Sequence, residues 1–128
     1  MKRLLVDTHV LLWWLANHKA LGSQARCAIG SPDNVVYVSA ASVWEISIKK
    51  SLGKLKAPDD YEVIIEEEGF EALPISIFHA EQAGALPPLH RDPFDRMLIA
   101  QAQAEGLLLI SQDRRMSEYG VRLLDPRR

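Results

Sequence analysis

Three uninterrupted apolar runs, Leu4-Leu5-Val6, Val35-Val36-Tyr37-Val38 and Leu107-Leu108-Leu109-Ile110, constrain this chain more than any other feature. A strand with one wet face alternates apolar and polar residues, whereas a run without alternation needs cover on both faces. Parallel sheets meet that need, because their crossover connections supply covering helices. The segments between the runs read as helices. The predicted fold class is therefore α/β, a three-layer α/β/α sandwich around a mainly parallel central sheet.

Local signals fill in the order. Helical patterns are expected over Thr8–Ala16 and Ser23–Ile29, and Ser31-Pro32-Asp33-Asn34 turns the chain into the second strand. Ser39 is placed to cap a helix from Ala40 to Leu52 that stops near Gly53. A further helix is expected over Tyr61–Glu68, and Ala72–Ile75 reads as a short strand. Ser76 then caps a helix to about Ala85. After the loop Leu86–His90, Asp92-Pro93 opens a helix reaching Glu105, and Val121–Leu123 reads as an edge strand.

Composition narrows the function classes. At 128 residues and 48% hydrophobic content, the chain is expected to form one globular domain over 1–128 with a real core. The single Cys27 leaves no intrachain disulfide, and no Cys/His cluster has zinc spacing. A reducing cytoplasmic setting and oxygen-held metal are the expectations. Lys2-Arg3 before an apolar stretch imitates a signal peptide, but Asp7 and His9 argue against one. No apolar run approaches the roughly 20 residues needed to cross a bilayer. A net charge of -2 argues against nonspecific coating of nucleic acid, yet permits an acidic centre with local basic patches.

Four acids stand where such a centre would form. In open α/β sheets, ligands sit beyond the carboxyl ends of the strands, and Asp7 and Asp113 both follow apolar strands there. Asp7 also reads as a helix N-cap, and Asp113 as the start of a turn toward Tyr119. Glu45 borders the stripe Ala41, Trp44, Ile48 and Leu52, or forms an ordinary i,i+4 pair with Lys49. Asp95 shares a face with Leu98, Ile99 and Ala102, so it heads the core-facing side of its helix, while Asp92 reads as the cap that aims it. Gathered carboxylates repel one another unless protons or a cation neutralise them, and oxygen donors suit Mg²⁺ or Mn²⁺. Such an ion can promote hydrolysis of a phosphodiester.

Taken in order, Leu-Leu-Val-Asp7-Thr8-His9, Ser39-Ala-Ala-Ser-Val-Trp-Glu45, Asp95-Arg-Met-Leu-Ile-Ala-Gln-Ala102 and Leu109-Ile-Ser111-Gln-Asp113 resemble a PIN domain, especially the VapC-type toxins. The resemblance spans nearly the whole chain. It implies a Mg²⁺- or Mn²⁺-dependent endoribonuclease, with Asp7 and Asp95 as principal metal ligands. Glu45 is implied as a ligand or orienter of water and Asp113 as a direct or water-mediated contributor. It also implies an RNA substrate, a homodimer and a cognate VapB-like antitoxin that blocks the acidic site.

Neighbouring residues are read more plainly. Thr8 and Ser111 read as local caps and turn formers, or as hydrogen-bond partners of a carboxylate, metal-bound water or phosphate, and His9 and His90 as packed or solvated side chains outside the mechanism. Lys49, Lys50, Lys54, Lys56, Arg91, Arg96, Arg114 and Arg115 form a mainly solvated surface from which some could hold an RNA backbone. Trp13 and Trp14 are expected in the core. Two rivals remain at this level: a noncatalytic PIN-like RNA- or protein-binding module, and an α/β phosphoacceptor switch. The switch lacks support because Asp7 has no adjacent acid and no strand-end Lys follows Leu107–Ile110.

Overall fold

The computed structural model describes residues 1–128. Its strands are β1 (Arg3–Val6), β2 (Val35–Ser39), β3 (Glu71–Leu73), β4 (Leu108–Ile110) and β5 (Leu123–Leu124). Its α-helices are α1 (Thr8–Leu15), α2 (Ser23–Gly30), α3 (Ala40–Ser51), α4 (Tyr61–Glu67), α5 (Ile77–Ala85) and α6 (Pro93–Glu105), with a 3-10 helix over Arg114–Tyr119. The strands form one sheet in the order β3-β2-β1-β4-β5. Every neighbouring pair is parallel. This is the parallel α/β sheet that the apolar runs predict.

Why the runs lack polar residues is visible in the packing. Leu4 and Val6 of β1 join Val36, Val38 and Ile110 in one core, which also takes Val10 and Leu11 of α1, Ile29 of α2 and Ile65 of α4. Leu5 points the other way into a second core with Leu98, Ile99, Leu109 and Met116. Successive strand side chains alternate between faces. Because helices cover both faces, both sets must be apolar.

The caps follow the sequence reading closely. The Ser39 hydroxyl accepts from the Ala41 amide at 3.0 Å. Ser76 and His79 form a reciprocal capping box at the start of α5. Asp92 accepts from the amides of Phe94 and Asp95, with Pro93 at the first turn. Gly106 ends α6 with φ at 67°, a conformation that a Cβ would strain.

Four expectations need correction. The short strand is Glu71–Leu73 rather than Ala72–Ile75, since Pro74 has no N–H for the ladder. The edge strand lies at Leu123–Leu124 rather than Val121–Leu123, because Gly120 turns the chain out of the 3-10 helix and pairing with β4 starts at Leu109↔Leu123. In α3 the stripe Ala41, Trp44, Ile48 and Leu52 is not the buried face: Trp44 is 61% and Leu52 60% exposed. The inward face is Ala41, Ser42, Glu45 and Ile46, so Glu45 faces inward rather than merely bordering the buried face. Trp13 and Trp14 are half-buried at the rim of the first core. Trp14 keeps its indole N–H at the surface, donating to Glu68 at 2.7 Å.

Candidate metal centre

Parallel pairing brings the ends of β1 and β4 side by side, with Val6 opposite Ile110. The residues that follow, Asp7 and Ser111 to Asp113, therefore emerge at one edge. The inward face of α3 and the first turn of α6 converge on the same edge. The resulting pocket is lined by Asp7, Thr8, Glu45, Asp92, Asp95 and Asp113, together with His9, Lys49 and Gln112, and by no apolar residue. All four predicted acids meet there.

Each carboxylate has a different setting. Asp7 is 6% exposed, and Asp7 Oδ1 accepts from the Val10 amide at 2.9 Å, so it caps α1 while also lining the pocket. Burial pushes its carboxyl above the usual range; the Ser111 hydroxyl, the Val10 amide and His9 offset this in part, and Glu45 adds to it. Glu45 is held at both oxygens, accepting from Thr8 Oγ1 at 2.6 Å and pairing with Lys49 Nζ at 2.7 Å. The i,i+4 pair is thus real without placing Glu45 on the wet side.

Asp95 is the least satisfied of the four. Its carboxylate accepts no side-chain or backbone hydrogen bond, and His90 Nε2 stands 3.1 Å from its Oδ2. Burial, then the charge of Asp92, pushes its carboxyl up to about 7; His90 pulls down, and Asp7 and Asp113 push up further. Asp113 is the opposite case. Arg115 grips it through Nε and Nη2 at 3.1 and 3.0 Å, and His90 Nε2 bonds its Oδ2 at 2.8 Å. The Arg115 bond above all holds this carboxyl down at about 2, against the effect of burial.

Two residues gain roles that sequence reasoning missed. Asp92 does cap α6, but it also lines the pocket and repels Asp95, making five carboxylates around one space. His90, expected to be packed or solvated, is buried with its ring against two site acids. No local pattern in the sequence signals its contact with Asp113, which lies 23 residues away. Among the basic residues, Arg96 is spent on the fold, donating to the carbonyls of Ala83, Leu86 and His90. Lys50 pairs with Asp59. Lys49 and Arg115 are the basic side chains bonded to site acids.

The donor set fits a hard divalent cation. Oxygen ligands dominate, and an unpaired, part-buried carboxylate among like charges is relieved by a cation at that point. His90, Asp95 and Asp113 each offer a donor atom, all within 4.8 Å of one another.

Comparison with known proteins assigns the family and the fold. Over 122 residues, 93% of both chains, the sequence is 29% identical to ribonuclease VapC22 of Mycobacterium tuberculosis. The fold is similar to that of a chain of VapBC2 from Rickettsia felis, crystallised with a DNA fragment from its promoter, at TM-score 0.72 and 16% identity, covering 95% of this chain and 97% of that one. A toxin–antitoxin complex from Klebsiella pneumoniae gives TM-score 0.65 at 19% identity, with coverage of 95% and 96%. The family model of the PIN domain matches residues 4–121, and the chain belongs to the PIN domain family.

Proposed function

We propose that this protein is a Mg²⁺- or Mn²⁺-dependent endoribonuclease of VapC type that hydrolyses RNA phosphodiester bonds. The observation that carries the reading is the pocket itself: five carboxylates surround it, and Asp95 is left without a hydrogen-bond donor. Asp7 and Asp95 are the principal ligands in this reading. A divalent cation, when bound, supplies Lewis acidity toward the phosphodiester and raises the acidity of water.

The remaining work falls to the chain. Glu45, fixed at one oxygen by Thr8 and at the other by Lys49, is positioned to orient an attacking water. Asp113 has both oxygens engaged by His90 and Arg115, so it acts through its neighbours and the solvent. Lys49 and Arg115 lie at the site and can meet the RNA backbone by charge. The resemblance to VapC-type toxins further implies a homodimer and a cognate antitoxin covering the acidic pocket, while the length and the lone Cys27 suit one domain in a reducing cytoplasm.

The test is incubation of purified protein with a panel of structured cellular RNAs and Mg²⁺ or Mn²⁺, followed by mapping of the cut ends. Cleavage should need the metal, stop with EDTA, and be abolished by Asp7→Asn or Asp95→Asn in proteins that remain folded. Undiminished cleavage by these folded variants would reject the assigned site. A folded wild-type protein that binds RNA without metal-dependent cutting would favour the noncatalytic module.

A further inference from the structure

His90 stands apart from the other side chains near the acidic pocket because nearly every polar atom it owns is committed. Its side chain is 3% exposed. Its backbone N–H donates to Tyr119 Oη at 2.8 Å, and Tyr119 Oη donates in turn to the Pro87 carbonyl at 2.6 Å. Its own carbonyl accepts from Arg96 at 3.1 Å. The loop carrying it is therefore tied to the 3-10 helix on one side and to α6 on the other.

The ring is equally constrained. The Asp92 amide donates to Nδ1 at 3.2 Å, so Nδ1 presents a lone pair and the ring proton belongs on Nε2. Nε2 then faces Asp113 Oδ2 at 2.8 Å and Asp95 Oδ2 at 3.1 Å. A nitrogen bearing a proton has no lone pair for a metal, which argues against His90 as a ligand. What it offers is an N–H between carboxylates from two different elements.

We propose that His90 is a positioning residue of the acidic centre: its Nε2–H bonds the Asp113 carboxylate and so fixes it beside Asp95, whose Oδ2 stands 3.1 Å from the same nitrogen, and the Asp92 amide keeps the ring in the tautomer that can do so. The proposal rests on the metal-dependent reading above. Carboxylates that ligate metals are themselves held by outer hydrogen bonds, and these partners set how well the ligands are presented. Here the loop Leu86–His90 supplies that partner, and Asp92 contributes twice, as cap of α6 through its side chain and as tautomer lock through its amide.

The experiment begins with the metal-free full-length protein labelled with ¹⁵N at histidine. The imidazole spectrum of His90 should show a protonated Nε2 and an unprotonated Nδ1, and adding Mg²⁺ should leave that pattern in place. A proton on Nδ1, or loss of the Nε2 proton on adding Mg²⁺, overturns the assignment, the second result by making His90 a ligand. Mn²⁺ affinity is then measured by calorimetry on wild type, His90→Leu and His90→Gln. Removing the donor should weaken Mn²⁺ about 10- to 100-fold, whereas Gln, whose amide N–H reaches a similar position, should restore most of the loss. If His90→Leu does not fold, His90→Gln and the tautomer decide the question. Folded variants that both match wild type, or are weakened alike, sink the positioning role alone; a wild-type protein that takes up no Mn²⁺ sinks the metal reading and this one with it.

Discussion

His79 and His90 are nearly the same device in two parts of the molecule. Both are 4% exposed. In each ring Nδ1 accepts a backbone amide, from Ser76 at 3.0 Å and from Asp92 at 3.2 Å. In each ring Nε2 faces a carboxylate. His79 meets only Glu105, at 3.1 Å, at the end of α6, and Glu105 is 40% exposed. Around it, Gln101 is fully buried and bonded to Ser39 Oγ and the Pro74 carbonyl. That network fastens α5 to α6 and to the end of β2. His90 instead meets two acids brought from α6 and from the end of β4, beside three more around a shared pocket. Burial and tautomer are alike, so neither marks a site; the number and origin of the carboxylates do.

The contrast can be broken most strongly by metal. Saturating Mn²⁺ should stabilise the native protein, by about 2.7 kcal/mol at 100 times Kd, read as a rise in Tm or in urea midpoint. Asp95→Asn should remove most of that gain, while Glu105→Gln keeps it. Equal loss in both would mean that the two histidine regions are not different in kind.

A smaller effect separates the regions the other way. His79→Leu leaves the Ser76 amide and Gln101 short of a partner, a cost of about 1–3 kcal/mol for buried polar groups. Chemical denaturation should show that loss, with Mn²⁺ affinity by calorimetry unchanged. A weakened metal site in this variant would tie the two networks together.

The most gradual effect is that of pH on the metal-free protein. Asp95 sits above its ordinary value of 3.8, at about 7. Its contribution to stability is therefore full below pH 3.8 and lost as pH rises through about 7, because the native state binds the proton more tightly. Asp113, held down at about 2, contributes above 3.8 and loses that contribution as pH falls through about 2. Urea unfolding in EDTA should show the Asp95 loss between pH 4 and 7, at no more than about 1.4 kcal/mol per pH unit. Asp95→Asn should flatten it. A slope unchanged in that variant would assign it to other groups.

The sequence carried the acids further than it carried their surroundings. Asp7 and Asp113 are legible because each follows an apolar strand, and parallel pairing must bring those strand ends to one edge. Asp95 is legible because Asp92-Pro93 marks a helix start and Leu98, Ile99 and Ala102 mark its inner side; all three are buried. In α3 the same method failed. Trp44 and Leu52 are the more apolar residues, yet they stay exposed, while Ser42 and Glu45 go inside. Apolar periodicity ranks faces by cost of exposure to water, whereas this helix packs its small residues close and turns a charge toward a polar pocket. Trp44 finds an edge-on partner in Phe94 at 5.3 Å instead.

The role of His90 lay beyond any such reading. Its partner Asp113 is set by how the loop before α6 and the turn after β4 meet, a relation between residues 23 apart that no local pattern encodes. The sequence alone determined that strands covered on both faces would align in parallel and bring Asp7 and Asp113 to one edge, because backbone pairing and the hydrophobic effect leave little alternative. The tertiary structure decided which acid stands unpaired, which is gripped, and which histidine lies between them. Those outcomes depend on distances of about 3 Å, at which hydrogen bonds and charges act.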